Sequence, residues 1–424
     1  MILLGTSCRP TSEEWIDFGE YHPFVGPVIG PTETRTFVPY STSLCGGPDD
    51  ESILNCAFPG GTATFGEILA QEEEQTKTSS VNSAGMAKAL MSTWFHGKVR
   101  SFCGTYISRG VDGKPMTVSG RIMVPADGKV SRIMLSNHFT IGADKEAPSN
   151  ALPMECIYAM KGIAVFEADY IGYGASADHI HPYLISDKTA EDVVDLYLAG
   201  KNFLEMNGMA PAYDDIFLHG YSQGGAVTLS VAQHIELYYP DIKIRLTMCG
   251  SGPYDICATY DTLIDNDVTD YPCAIPLIIQ GMNIGENLGL DYSKFFNEKM
   301  VSNMDEWLNT KKYTMAEITS LMGSKKISSI MTPEARDKAK DLMTDLYRAM
   351  VDNSAISGWV PDCPIYLFHS IDDNVVPFVN AVNLEEKLLE CNAIYNFGHY
   401  GNHVKGYLRF LFSTLDYLKA NGDI

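Results

Sequence analysis

The segment GYSQGG, residues 220–225, constrains the fold of this chain more than any other part of the sequence. It follows the apolar run IFLH, which is typical of a buried strand, and precedes AVTLSVAQHIEL, which has the spacing of a packed helix. A G-x-S-x-G pattern between a strand and a helix holds its serine on a sharp, strained turn, and small neighbours let the two elements approach closely. We therefore predict that Ser222 is a nucleophile. The alternative is an ordinary turn serine.

A carboxylate that orients the general base is expected just past the C-terminal end of a late strand. On this kind of turn the acid follows the serine along the chain, and the base comes last. The segment HSIDDNVVP, residues 369–377, supplies Asp372 and Asp373. We predict Asp373, because in the usual hydrolase pattern the acid stands four residues after the position that His369 occupies here. It also stands shortly before Val-Val-Pro. Asp372 remains the alternative.

The general base should be a histidine that follows Ser222 in the chain. Four of the ten histidines do so: His234, His369, His399 and His403. The first lies on the helix that leaves the serine turn, and the second lies in a buried strand. We predict His403, which stands where the last loop meets the final helix. His399 remains the alternative.

The oxyanion of a tetrahedral intermediate needs backbone N–H donors. The N–H of Gln223, directly after the nucleophile, is one predicted donor. The other should come from the loop SNHFTIGADKEAPS, residues 136–149, which follows the strand over 133–135. Many esterases have His-Gly where this chain has His138-Phe139, so we predict the amide of Phe139 or of Thr140. His138 precedes Ser222 and is predicted to be structural.

The rest of the chain alternates strand and helix patterns. Two alternating runs meet at Asp112-Gly113, a hairpin turn signal. Three runs are apolar almost throughout, as expected of strands in the interior of a parallel sheet: 133–135, 163–168 and 216–219. Residues 189–203 have helical spacing, residues 292–350 read as several helices with no strand, and the alternation resumes at 364. This pattern predicts an α/β fold with a mainly parallel central sheet and one helical insertion.

Composition excludes several classes of function. The 424 residues include 31 basic and 53 acidic side chains, a formal net charge of −22. No basic run is present, which argues against nucleic acid and anionic membrane surfaces as partners. No window contains eighteen consecutive apolar residues, so the sequence predicts no membrane-spanning helix. The sequence has no metal-binding or nucleotide-binding motif, so we predict no cofactor and no metal.

The first residues, MILLGTSC, have two interpretations. They resemble the end of a lipoprotein export signal, with Cys8 as the lipid-bearing residue and a lipid anchor as the consequence. They also fit an ordinary N-terminus. If the protein is exported to the periplasm, the cell surface or the medium, as we expect, Cys45 and Cys56 are candidates for a disulfide.

Several further motifs, in their order along the chain, carry a family resemblance. They are APS at 147–149, DYIGYG at 169–174, HPYL at 181–184, GYSQGG, SGPYD at 251–255, and the segments around Asp373 and His403. Over residues 99–424 the chain is similar to α/β-hydrolases of the secretory lipase family, typified by fungal lipase A and related bacterial esterases. The resemblance implies an α/β-hydrolase core at 99–256 and 361–424, a helical cap or lid at 257–360, and an N-terminal extension at 1–98.

These features together predict a serine carboxylic-ester hydrolase, an esterase or lipase that works through an acyl-enzyme. The triad is Ser222, Asp373 and His403, and the substrate is a small-molecule ester. Two alternatives stay open. One is a serine peptidase of the prolyl-oligopeptidase kind, although residues 1–98 are too few for the propeller those enzymes carry. The other is a non-catalytic binding protein with the same fold.

Overall fold

The computed structural model describes residues 35–45, 97–355 and 357–424. Cys8 and Cys56 lie outside these residues, and so do the predicted lipid anchor and the Cys45–Cys56 pairing. Most of the predicted N-terminal extension lies outside them as well.

One sheet of nine strands runs through the described part of the chain. In chain order the strands are β1 (Val38–Cys45), β2 (Val99–Arg109), β3 (Pro115–Pro125), β4 (Ile133–Asn137), β5 (Ala164–Ala168), β6 (Ile216–Tyr221), β7 (Ile244–Gly250), β8 (Ile365–Ser370) and β9 (Ala393–Gly398). Their order across the sheet is β1-β2-β3-β5-β4-β6-β7-β8-β9. The first three strands and the β3–β5 pair are antiparallel, and every pair from β5 to β9 is parallel. The predicted mainly parallel sheet is confirmed.

The interior strands lie where the sequence patterns predict them, whereas the edge strand β1 falls in the N-terminal extension, where no strand was predicted. Strands β4, β5, β6 and β8 are buried along their whole length, as expected in the interior of a parallel sheet. Strands β2 and β3 pair from Arg109 opposite Pro115 onward, and Gly113 in the connecting turn has a φ of 75°. The hairpin prediction at Asp112-Gly113 is therefore confirmed.

Helices cover both faces of the sheet. They are α1 (Cys156–Ala159), α2 (Ser186–Met206), α3 (Gln223–Tyr238), α4 (Ile256–Asn266), α5 (Ala274–Gly285), α6 (Glu298–Met304), α7 (Met315–Met322), α8 (Pro333–Arg336), α9 (Lys340–Asp352), α10 (Val379–Lys387) and α11 (His403–Ala420). Successive residues of a strand point to opposite faces, so Met134 joins the core under α1 and α11, while Leu135 joins the core under α2 and α3. Each face of the sheet thus has its own hydrophobic core.

Helices α4 to α9 all lie between β7 and β8. Among the described residues of this segment, strand-like pairing is limited to two isolated bridges, Val268 with Lys326 and Phe296 with Met331. The predicted absence of a strand over 292–350 is thus matched, apart from the three bridge residues Phe296, Lys326 and Met331. The segment coincides with the predicted cap at 257–360, and its division from the core as a separate domain stays a prediction.

Candidate active site

Ser222 lies on the turn between β6 and α3. Its backbone has a φ of 59° and a ψ of −126°, and its side chain is 6% exposed. A non-glycine residue with positive φ is uncommon and strained, and such residues cluster at functional sites. The Ser222 N–H donates to the carbonyl of Gly250 at the end of β7, at 2.8 Å, which holds the turn against the sheet.

The glycines of GYSQGG allow the turn to be this tight. A Cβ atom on Gly220 would overlap the carbonyl oxygen of Gly224. A Cβ atom on Gly224 would overlap the carbonyl oxygen of Asn137, at the end of β4. Helix α3 therefore begins in direct contact with β6 and with the loop that follows β4. This contact brings the serine turn and the predicted oxyanion loop together.

The structure brings Ser222, Asp373 and His403 into one hydrogen-bonded chain. Nε2 of His403 lies 2.8 Å from Oγ of Ser222, and Nδ1 of His403 lies 2.6 Å from Oδ2 of Asp373. The other carboxylate oxygen accepts the N–H groups of Val375, at 2.9 Å, and Val376, at 2.8 Å. Since Nδ1 faces a carboxylate, it carries the proton, and Nε2 is left to accept the serine proton.

The alternative residues lie apart from the serine. Asp372 and His399 pair with each other at 2.8 Å, and their side chains are 45% and 74% exposed. His369 is buried, and its Nε2 donates to the carbonyl of Val376 at 3.0 Å. The His234 ring lies against Tyr238, the last residue of α3, and against Tyr239, which follows it. Of the four candidate histidines, His403 is the one that the structure places in hydrogen-bond contact with Ser222.

The environment of Asp373 keeps its carboxyl group ionised. Burial by itself would raise the pKa of Asp373. The charge of His403 and its hydrogen bond, with smaller contributions from His369 and the N–H of Val375, outweigh burial and hold the pKa below its ordinary value. On the other side of the site, the Tyr221 hydroxyl donates to the backbone carbonyl of His403 at 2.8 Å. The first turn of α11 is thereby anchored to the serine turn.

The predicted oxyanion donors lie on two segments, the start of α3 and the loop after β4. Gln223 is the first residue of α3, directly after Ser222. In the loop after β4, the Phe139 side chain is 42% exposed and meets the edge of the Tyr407 ring. The Thr140 hydroxyl lies 2.9 Å from the Tyr183 hydroxyl. The loop thus contacts α11 as well as the HPYL segment.

His138 is enclosed by backbone and by an aromatic ring. Its Nδ1 lies 2.7 Å from the carbonyl oxygen of Phe139, its Nε2 lies 3.2 Å from that of Asp169, and its ring stacks on Tyr170 at 3.9 Å. Burial lowers the pKa of His138 to about 4. A neutral ring has one N–H group and donates to one of these two carbonyls. These contacts are those of a structural residue. Among the described residues, no three His, Cys, Asp or Glu side chains are grouped to hold a metal ion.

Sequence reasoning missed two residues at this site, His181 and Tyr183. His181 contacts the side chain of Gln223, and Tyr183 contacts that of Thr140. The HPYL motif marked this segment for the family resemblance but carried no role, because hydrophobic periodicity does not show which residues a loop will meet.

The sequence pattern of the secretory lipase family matches residues 152–408, more than half of the chain. This chain belongs to the secretory lipase family. It is therefore a hydrolase of carboxylic esters, of the lipase and esterase kind. No curated protein sequence matches the chain at a significant level.

Solved structures show the same fold at low sequence identity. The cell wall degrading esterase LipA of Xanthomonas oryzae is 21% identical, with a TM-score of 0.67, over 77% of this chain and 90% of LipA. A hydrolase of Legionella pneumophila is 19% identical, with a TM-score of 0.68, over 77% of this chain and 89% of its own. Lipase A of Candida antarctica in its closed state is 16% identical, with a TM-score of 0.60, over 76% of this chain and 77% of its own. The predicted α/β-hydrolase fold is confirmed.

Proposed function

We propose that this secretory lipase family member cleaves its ester through an acyl-enzyme formed on Ser222. His403 takes the serine proton on Nε2 while Oγ bonds to the ester carbonyl carbon. The tetrahedral intermediate then breaks its bond to the alkoxide, and His403 returns the proton to that leaving group. A water molecule, deprotonated by His403, attacks the acyl carbon, and the carboxylic acid leaves as the serine recovers its proton. Asp373 orients the imidazole and stabilises its cationic form.

The observation that carries this proposal is the contact chain from Ser222 Oγ through His403 to Asp373, at 2.8 and 2.6 Å. The first distance lies within hydrogen-bond reach for transfer of the serine proton, and the second lets Asp373 orient the imidazole. The N–H groups that supply the oxyanion hole in this mechanism are those of Gln223 and of Phe139 or Thr140.

We further propose that the helical insertion at 257–360 covers the site as a cap. Two contacts support this placement. The Lys311 carbonyl of the insertion accepts the N–H of Asp144, in the loop after β4, at 2.8 Å. The Thr269 hydroxyl donates to the carbonyl of Asn374, next to Asp373, at 3.2 Å. The insertion thus touches both loops that flank the serine. An apolar acyl group would bind between it and the core.

The decisive experiment replaces Ser222 by Ala. The variant should lose turnover of a short-chain chromogenic ester and labelling by a fluorophosphonate. The matched control is Ser230→Ala on the same helix, because the Ser230 hydroxyl donates only to the Ala226 carbonyl one turn away. Retained turnover in Ser222→Ala would refute the mechanism. Faster cleavage of an aminoacyl-proline amide than of esters would favour a peptidase instead.

The family name and the first eight residues support export, and we propose Cys8 as a site of lipid attachment. None of the described helices combines the length and the apolar character needed to cross a membrane. Metabolic labelling with a fatty acid tests the anchor. Label that persists in a Cys8→Ala variant would exclude it.

A further inference from the structure

The segment HPYL, residues 181–184, lies between the two predicted halves of the oxyanion hole. His181 and Tyr183 are both buried, at 4% and 6% exposure, and neither side chain has a role in the proposed triad. Each contacts a residue that carries or neighbours a predicted donor. This arrangement supports an inference that rests on the proposed function and extends it.

His181 fixes the side chain of Gln223. Nδ1 of His181 lies 2.7 Å from the carbonyl oxygen of Ile171, and a carbonyl can only accept, so Nδ1 carries the proton. Nε2 therefore presents its lone pair, and the Gln223 amide donates to it at 2.9 Å. Burial lowers the pKa of His181 to about 3, so this neutral tautomer persists throughout the range in which esterases are assayed. The side chain next to the first predicted donor thus has a single orientation.

Tyr183 fixes the loop that supplies the second donor. Its hydroxyl lies 2.9 Å from Oγ1 of Thr140. Burial raises the pKa of Tyr183 to about 12, so the hydroxyl keeps its proton and the hydrogen bond persists. Thr140 is one of the two candidates for the second donor, and Phe139, its direct neighbour, is the other. The bond between Thr140 and Tyr183 therefore holds the predicted donor loop beside the serine turn.

The segment that joins the two contacts is held from both sides. On the core side, Gly172 packs so closely that a Cβ atom there would overlap the backbone of His181. On the insertion side, Gly281 of α5 packs in the same way against the backbone of Tyr183. The N–H of Tyr183 donates to the carbonyl of His181 at 2.9 Å, which closes the segment into a turn. The backbone that carries both side chains is therefore packed on two sides.

We propose that His181 and Tyr183 are positioning residues for the oxyanion hole. His181 acts through the Gln223 side chain, and Tyr183 acts through Thr140. Because both belong to one turn, the two segments that carry the predicted donors are linked to each other before substrate binds. Such preorganisation lowers the energy of the transition state without tightening substrate binding.

The test uses two pairs of substitutions in the full chain. His181→Asn keeps a donor for the Ile171 carbonyl but has no acceptor that reaches Gln223. Gln223→Met removes the amide and keeps the backbone N–H. Tyr183→Phe and Thr140→Val each remove one hydroxyl of the second contact. Each single variant should lower kcat about 3- to 10-fold, as expected for one hydrogen bond, and leave KM within about twofold. Thr140→Ser keeps the hydroxyl and should restore kcat.

Two further readouts separate positioning from a general loss of structure. Affinity for a boronic acid, which mimics the tetrahedral intermediate, should fall by the same factor as kcat. Within each pair the double variant should lose no more activity than the worse single variant, because both changes break one contact. The controls are Tyr260→Phe, a buried tyrosine of the insertion, and His219→Asn, a buried histidine bonded to Tyr158. These should change thermal stability and leave kcat and boronate affinity unchanged.

Three outcomes would each overturn the positioning role. They are an unchanged kcat in both pairs, an effect that appears in KM instead of kcat, and losses of activity that multiply in the double variants. Ester hydrolysis by the unmodified enzyme would still stand in those cases. Absence of hydrolysis in the unmodified enzyme, assayed in the same series, would instead refute the proposed function and the inference with it.

Discussion

Replacement of Asp373 by Asn tests the orienting carboxylate with almost no change of shape. The Asn oxygen can still accept the N–H groups of Val375 and Val376, so the loop keeps its geometry. The atom that faces Nδ1 of His403 becomes an NH₂ donor, and Nδ1 must then accept. The imidazole proton moves to Nε2, which lies 2.8 Å from Ser222 Oγ and can no longer take the serine proton.

The expected loss follows from this change of tautomer. In serine hydrolases an Asp-to-Asn change at the orienting position lowers kcat by about 10⁴. That factor corresponds to about 5 kcal/mol of lost transition-state stabilisation. We expect a loss of this size, with KM for a short-chain ester changed little, because the carboxylate does not touch the substrate.

The assay is kcat and KM on a chromogenic ester at pH 7 to 8, with the rate of fluorophosphonate labelling as a second readout. The matched control is Asp372→Asn, which breaks only the exposed pair with His399. Exposed pairs contribute about 0–1 kcal/mol to stability. Neither residue is hydrogen-bonded to Ser222 or His403 in the described part of the chain, so kcat should stay within about twofold. A loss below about tenfold in Asp373→Asn would refute the reasoning. So would an equal loss in Asp372→Asn, which would make that residue the acid.

Two further predictions concern stability. Burial lowers the pKa of Lys311 to about 8, so the folded state binds fewer protons than the unfolded state between about pH 8 and 10.5. Lys311→Met should therefore raise the free energy of unfolding by up to about 3 kcal/mol at pH 7 and by about 1 kcal/mol at pH 9.5. Urea denaturation at the two pH values measures this difference. A change that does not depend on pH would show that the lowered pKa of Lys311 is not its cause. Gly224→Ala should prevent a stable, active fold, because its Cβ would overlap the Asn137 carbonyl. Gly208→Ala, which has open space and a φ of 70°, should cost only about 1 kcal/mol in thermal unfolding, and equal effects would refute the packing argument.

The fold could be predicted well because its main signals are local. A strand buried on both faces must be apolar throughout, and the runs before Leu135 and before Ser222 meet that condition. The GYSQGG turn then requires a strand behind it and a helix ahead of it. The insertion between β7 and β8 was predictable as helical. Its division from the core at 257–360 stays a prediction, because several short helices carry no signal for where one packed unit ends.

The site was predictable as a set of residue types and less so as a choice between neighbours. Asp372 and Asp373 are adjacent, and His399 and His403 are four residues apart. In each pair the first member is exposed, while Asp373 is buried against His403 and His403 contacts Ser222. The deciding feature is the turn after β8, whose Val375 and Val376 N–H groups converge on Asp373. Hydrogen bonds of this kind form only when the chain is folded, so sequence order alone leaves both acids open.

The contacts of His181 and Tyr183 show where the reasoning from sequence ended. His181 and Gln223 are 42 residues apart, and they meet because the loop after β5 packs against the start of α3, which follows β6. Strand β4 lies between β5 and β6 in the sheet. No periodicity describes a loop. A signal was nevertheless present, since a buried histidine or glutamine must find a hydrogen-bond partner. Two polar motifs placed by the topology at the same edge of a sheet are therefore candidates to satisfy each other, and HPYL and GYSQGG meet that condition here.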